Sequence, residues 1–298
     1  MEMILVTGAS GFLGSELLRQ LLAQSRYHII ASTDSVDKLK SAFGTRNIDY
    51  VTREYLLSEE FVRMDIRCAV NCAFPRNKNG YEMAEGLKYI ENVFHQFARG
   101  GVHSLINISS QSVYDQARTC TASEEFALCL STPYAVGKYM TERMTDIICN
   151  EIPHTNLRMA SLIGPGFNQR VVNRLTEKAL KQEVLSAKYS HQRFGFLDCE
   201  DAAAAVLSLL DISPSIWKTV YNVGNGKGYT IEEIVHSISS VFKEQNRVFP
   251  DISWESDELI SSTSVDGSLL FGDTGFAAEI SLDESVKRIL MWYEGNQT

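Results

Sequence analysis

An α/β fold built on a doubly wound parallel sheet is predicted by three features of the chain. Short apolar runs alternate with helical patterns from residue 3 to about residue 160. No hairpin signal joins any two of these runs, so the strands need helical crossovers, which cover both faces of a parallel sheet. The first run also turns through three glycines straight into a helix.

That first run is Met3-Ile4-Leu5-Val6. Gly8, Gly11 and Gly14 follow, with Phe12, Leu13, Leu17, Leu18, Leu21 and Leu22 at helical spacing. A strand that enters a helix through glycines makes an anion seat, because unpaired backbone N–H groups and the positive end of the helix dipole face outward there. The spacing is G-x-x-G-x-x-G, close to the G-x-G-x-x-G of the Rossmann fingerprint. A second strand, His28–Thr33, ends at Asp34, 20 residues beyond Gly14. A carboxylate at that place accepts both ribose hydroxyls of an adenosine and repels a 2′-phosphate, which predicts NAD in preference to NADP. Asp34-Ser35 also reads as an N-cap for a polar helix over Val36–Phe43.

Further strands are expected at Ile48–Val51, Cys68–Ala73, Ser104–Ile108 and Asn156–Ala160. Helices are expected at Glu59–Met64, at Tyr81–Arg99 (stopped by Gly100-Gly101) and from Pro133 through Asn150, with residues 115–131 as loop. The pattern changes after Ile163-Gly164-Pro165-Gly166. A basic helix is expected from Asn168 to Gln182, a buried run over Phe196–Leu210, and a strand at Val220–Val223. Thr230 and Glu233 form a capping box ahead of a helix over 231–243. Residues 245–280 read as mixed and loop-rich, and Leu282–Tyr293 as a closing amphipathic helix. The division expected is a dinucleotide-binding domain of 1–163 plus 196–223, and a smaller substrate-binding lid of 164–195 plus 224–298.

The totals narrow the function. Apolar residues make up 44% and charged residues 22% of the chain, as in an ordinary soluble globule. The balance of 28 Lys+Arg against 37 Asp+Glu, a net −9, argues against a nucleic-acid surface. No apolar run approaches membrane-spanning length. The first strand begins without a basic leader, so no signal peptide and a cytoplasmic location are expected. The six cysteines show no Cys-x-x-Cys pair or metal-ligand spacing; they read as reduced core thiols, with no metal.

The most informative pair is Tyr134 and Lys138 in P-Y-A-V-G-K. Four residues apart, they share one helix face. A free tyrosine titrates near pH ~10, and a neighbouring ammonium stabilises a phenolate. Such a pair can take a proton from a substrate hydroxyl, or give one to a carbonyl, while hydride moves to or from a nicotinamide. Ser110, past the end of the fifth strand where such sheets place ligands, is positioned to hold the reacting oxygen. Asn107, inside that strand, reads as structural.

With these residues in place, the chain resembles the extended short-chain dehydrogenases/reductases, the NAD-dependent epimerase/dehydratase group, over nearly its whole length. T-G-A-S-G-F-L-G, Asp34, S-S-Q-S-V-Y at 109–114, Y-A-V-G-K at 134–138, L-x-G-P-G at 162–166, F-L-D-C-E-D-A-A at 196–203 and Y-N-V-G-N-G at 221–226 fall in family order. The resemblance implies a catalytic triad of Ser110, Tyr134 and Lys138, with Lys138 also on the nicotinamide ribose. It implies that Gly8, Gly11, Phe12, Leu13, Gly14 and Asp34 hold adenosine and pyrophosphate. Ala73 would line the groove, Asn92 would support it from the long helix, and Met159 would face the nicotinamide.

Departures from the family pattern bear on the substrate. Gln111 and Ser112 stand where sugar-nucleotide dehydratases carry Asp-Glu, so dehydration is not expected. Phe74 replaces a small residue and would narrow the pocket, and Arg76 is placed to meet an anionic group. Phe194 stands where many members carry a diphosphate-gripping arginine, with Arg193 one residue earlier; Arg170 or Arg193 is the substitute. Ser161 completes the substrate candidates. Arg53-Glu54 is the nearest equivalent of the usual adenine-contacting acid. The expected activity is NAD-dependent epimerisation or keto-reduction/dehydrogenation of a sugar, nucleotide-linked, in a homodimer paired through helices 81–99 and 133–150. The alternative of another class is a non-catalytic NAD(P) sensor of the same fold.

Overall fold

The computed structural model describes residues 1–76, 78 and 80–296, and side chains throughout them except at 189, 190 and 257. The first half runs β1 (Glu2–Thr7), α1 (Phe12–Gln24), β2 (Tyr27–Ser32), α2 (Val36–Phe43), β3 (Ile48–Val51), α3 (Glu59–Val62), β4 (Cys68–Asn71), α4 (Gly80–Arg99), β5 (Leu105–Ser110) and α5 (Pro133–Ile148). Next come β6 (His154–Met159), β7 (Ser161–Ile163), α6 (Val171–Leu180), β8 (Leu185–Asp198), α7 (Cys199–Leu210) and β9 (Val220–Val223). The chain ends with β10 (Gly228–Tyr229), α8 (Ile231–Glu244), β11 (Ile252–Ser262), α9 (Ser268–Thr274) and α10 (Leu282–Gly295).

The expected parallel sheet is present, seven strands in the order β3-β2-β1-β4-β5-β6-β9. Alternation along β1 feeds two cores: Ile4 and Val6 pack with α1 and α7, whereas Leu5 packs with Phe94 and Phe97 of α4. This double burial is why the strands read as unbroken apolar runs. The chain winds outward from β1 in both directions, so a crevice opens beyond the carboxyl ends of β1 and β4.

Polar side chains cross that end of the sheet in one line. Thr7 Oγ1 donates to Asn71 Oδ1 at 2.7 Å, Asn71 Nδ2 to Asn107 Oδ1 at 2.9 Å, and Asn107 Nδ2 to Asn156 Oδ1 at 2.8 Å. All four residues are buried, and each is the register partner of the next. In an apolar interior such groups are tolerated only when hydrogen-bonded, so the line also holds four strands in register. Asn107 is structural, as the sequence suggested.

Beyond residue 160 the sequence reading was incomplete. β8 is a 14-residue strand across a segment for which the sequence suggests no element before Phe196. It pairs in parallel with β7 and β11 and antiparallel with β10. β11 lies inside the stretch read as loop-rich, and its register with β8 shifts between Ser256 and Ile260. Residues alternate inward and outward over 185–188 and 252–255, with Leu185 and Ala187 or Ile252 and Trp254 inward and polar residues between them, whereas 195–198 and 261–262 are buried at consecutive positions. The polar face masks the strand, and the pairing joins segments far apart in sequence. The basic helix is shorter than expected, with α6 starting at Val171. β8 backs a second core with α6, α8 and α10, built on Phe196, Leu175, Ile238 and Ile289. The Thr230–Glu233 capping box is formed. Cys120 and Cys129 are exposed rather than core thiols.

Candidate active site

Two cavities of about 690 and 210 Å³ meet beyond β1 and β4, and Gly8, Gly11, Cys72 and Phe74 line both. Together they make a groove from Asp34 to Met159. Gly8 has φ +62°, and a Cβ there would meet Ala73 N at 2.7 Å; a Cβ on Gly14 would meet Gly8 O at 2.4 Å. Thus Gly8 permits the turn and the approach of the chain leaving β4, and Gly14 lets α1 sit on the turn. No side chain caps α1 at Gly11, so its first N–H groups are left for a ligand.

At one end the groove is lined by Asp34, Arg53, Ala73 and Tyr89. Neither Asp34 nor Ser35 caps α2 by its side chain, and the Asp34 carboxylate stays exposed at the cavity. Arg53 Nη1 stands 3.6 Å from Asp34 Oδ2 while its guanidinium lies over the Tyr89 ring at 4.0 Å. Tyr89 was not singled out in the sequence; its signal was its place one turn beyond Gly86, whose missing Cβ lets Pro75 pack against α4.

The other end is lined by Phe12, Leu13, Gly14, Ser110, Tyr134, Lys138 and Met159, with Phe74, Arg76 and Arg170. Thr132 Oγ1 accepts the Ala135 N–H at 3.1 Å and Pro133 opens the first turn, so Tyr134 is fixed at the start of α5. Lys138 is buried, and its Nζ donates to Ile108 O of β5 at 2.7 Å. Burial pushes its pKa down to about 7, opposed by Cys72 and Glu142 and reinforced by Arg76. Phe74 packs edge-on against Tyr134 with centroids 5.3 Å apart, and Lys138 Nζ lies 4.2 Å from its ring centroid. Ser110 Oγ accepts from Ser112 N at 3.2 Å.

One turn beyond Lys138, Glu142 is buried against Arg158 of β6. Arg158 Nε donates to Glu142 Oε1 at 3.0 Å and Nη2 to Oε2 at 2.8 Å. Ser109 Oγ also donates to Glu142, and Arg158 Nη1 reaches Tyr114 Oη at 3.0 Å. Sequence reasoning missed this pair, though a carboxylate continuing the Tyr134–Lys138 face was a visible signal. The pair ties α5 to β5 and β6, and so positions Tyr134 and Lys138. Burial lowers the Arg158 pKa, but the Glu142 hydrogen bonds outweigh it and hold the guanidinium charged.

Four expected residues lie away from the groove. Asn92 is exposed on α4 and lines neither cavity; it lies about 200° round the helix from Ile90, which does line it. Arg193 is taken up in the small sheet, donating to Gly228 O at 2.9 Å and meeting Glu233 at 3.3 Å. Gln111 is buried in the turn after β5, where its Oε1 accepts from Arg118 Nη2 at 3.1 Å. Ser161 opens β7 opposite Phe196, and its neighbours Ala160 and Leu162 form the wall instead. Phe167 was missed; it stacks on Phe12 at 4.5 Å.

The glycine turn and the groove running from Asp34 to Tyr134 and Lys138 together describe a Rossmann-type, dinucleotide-binding fold. A model of the NAD dependent epimerase/dehydratase family matches residues 4–224. The chain belongs to that family, and is an enzyme of the extended short-chain type with NAD as its cofactor. It is similar to Protein CapI of Staphylococcus aureus, 26% identical, covering 97% of this chain and 98% of that one. It is also similar to a UDP-glucose 4-epimerase of Dictyostelium discoideum, 21% identical over 99% and 96% of the two chains. In fold it matches the UDP-glucuronic acid 4-epimerase of Bacillus cereus crystallised with UDP-glucuronic acid and NAD. The TM-score is 0.84 at 20% identity, covering 98% of this chain and 99% of that one.

Proposed function

We propose that the protein is an NAD-dependent epimerase or keto-reductase/dehydrogenase that acts on a hydroxyl or keto carbon of a nucleotide-linked sugar. The observation that carries this is the convergence of Tyr134, Lys138 and Ser110 in one cavity with the glycine turn and Met159. Held by the glycine turn, NAD would supply the hydride acceptor or donor for the carbinol carbon. Tyr134 Oη takes the hydroxyl proton as the carbonyl forms and gives it back on reduction. Lys138, anchored on Ile108 O, supplies positive charge beside it, and Ser110 Oγ holds the reacting oxygen. Dehydration is not proposed: Gln111 is turned away, and among the described residues no Asp or Glu lines the cavity to serve water elimination.

The relatives' names support a nucleotide sugar as substrate. A cytoplasmic homodimer is part of the same proposal, supported by an apolar groove between α4 and α5 lined by Leu87, Val136, Met140 and Met144; light scattering tests the dimer. The smaller core around β8 would then be the substrate-binding lid. The function is tested by adding UDP-sugars to the NAD-loaded protein and following nicotinamide absorbance and product. Tyr134→Phe should cut turnover by about 10²–10⁴-fold with NAD affinity nearly unchanged. Absence of hydride transfer in the unmutated protein across a broad sugar panel would return the sensor alternative.

A further inference from the structure

Two guanidinium groups in the reaction cavity take no part in the proton transfer described above. Arg76 leaves the turn after β4, and Arg170 precedes α6; both line the Tyr134 cavity with Lys138. Among the described residues, no carboxylate lies within ion-pairing distance of either. Most exposed arginines elsewhere do have one, as in Arg19–Glu16, Arg99–Glu59 and Arg143–Asp146. Carboxylates outnumber cations in this chain by 37 to 28, yet among the described residues none lines this cavity. Arg170 Nε is buried without a hydrogen-bond partner. Burial and the charge of Arg76 both lower the Arg170 pKa, a sign of like charges brought together. Such a cluster is relieved by an anion that enters.

The uncapped N–H groups of α1 would give the cofactor's diphosphate a seat of its own. Phe167 stacks on Phe12 at 4.5 Å, and the Arg76 guanidinium lies over the Phe167 ring, 4.8 Å from its centroid. Arg170 acts electrostatically on Tyr134, so its charge is on the side of the reacting carbon. The planar guanidinium fork matches a carboxylate in two parallel hydrogen bonds.

We propose that Arg76 and Arg170 clamp a carboxylate carried by the sugar itself, so that the substrate is a uronic-acid sugar rather than a neutral hexose. This rests on the sugar-oxidoreductase reading above and names its substrate class. Binding of UDP-glucuronate and UDP-glucose to the NAD-loaded protein, by calorimetry, tests it in the wild type, Arg76→Gln and Arg170→Gln. The wild type should bind the uronate at least tenfold more tightly. Each substitution should weaken uronate binding by roughly 10- to 100-fold and UDP-glucose binding by far less. Equal losses for both ligands would assign the arginines to the nucleotide diphosphate, and a parallel loss of NAD affinity would assign them to the cofactor; either overturns the clamp, as does unchanged binding. If neither UDP-sugar binds, the nucleotide-linked reading fails. D-glucuronate against D-glucose then decides the clamp, which is overturned unless the acid alone binds and the substitutions remove it.

Discussion

At the Asp34 end of the groove the charges are exposed and of both signs, with Asp34, Glu82 and Glu85 beside Arg53 and Lys78. At the Tyr134 end the lining charges are all positive, and α5 is held from behind by a buried, doubly hydrogen-bonded Glu142–Arg158 pair. The Asp34–Arg53 contact, 3.6 Å long with side chains 67% and 42% exposed, is of a kind worth about 0–1 kcal/mol. Holding an adenosine tolerates loose geometry and solvent. Moving a hydride and a proton does not, and there the fold spends its buried charges on fixing one helix. On the function proposed above, the comparison teaches that affinity and turnover are set at opposite ends of one groove.

Its strongest test is Tyr134→Phe: turnover should fall by orders of magnitude while dinucleotide affinity holds, and a matching loss of affinity would erase the distinction between the ends. Arg158→Met should come next. Removing one partner leaves the Glu142 carboxylate buried alone, for an expected loss of about 3–5 kcal/mol in urea unfolding. The double substitution with Glu142→Met should recover much of this; if it does not, the pair is not what holds α5.

Lys138 makes the third test, through pH. Its pKa is pushed down to about 7 from the ordinary 10.5. Between these values the unfolded chain carries a proton that the folded chain lacks, so stability rises with pH across that window. The burden of the buried ammonium is full below about pH 7 and fades towards pH 10.5. Lys138→Met should therefore remove the rise and raise the melting temperature near pH 7, by a few kcal/mol in stability, while turnover is lost. Melts that keep the wild-type slope would contradict the burial argument.

Asp34→Asn should give the smallest effect. It removes the charge that repels a 2′-phosphate and leaves Arg53 uncountered, so NADPH affinity should rise about tenfold with the NAD-supported rate little changed. A fall in that rate would tie the two ends together.

Much of the groove was legible from the chain because its determinants are local. Gly8 and Gly14 are set by backbone packing within one turn, and Asp34 by its position after a strand. Tyr134 and Lys138 are set by helical spacing. Gln111, Arg193 and Asn92 misled for the opposite reason. Each has the right residue type near the right motif, and its direction is decided by a partner or an angle that local spacing does not encode: Arg118 for Gln111, Gly228 and Glu233 for Arg193, and helix rotation for Asn92.

By itself, then, the sequence determined the parallel sheet, the glycine turn into α1 and the placing of Tyr134 and Lys138 on one helix, since periodicity and short spacing are properties of neighbouring residues. The tertiary structure alone decided the long pairing of β8 with β11, the Glu142–Arg158 tie behind α5, and the meeting of Arg76 from one loop with Arg170 from another. Those arrangements join residues from 16 to 94 positions apart, and only the packed chain brings their charges and edges within reach.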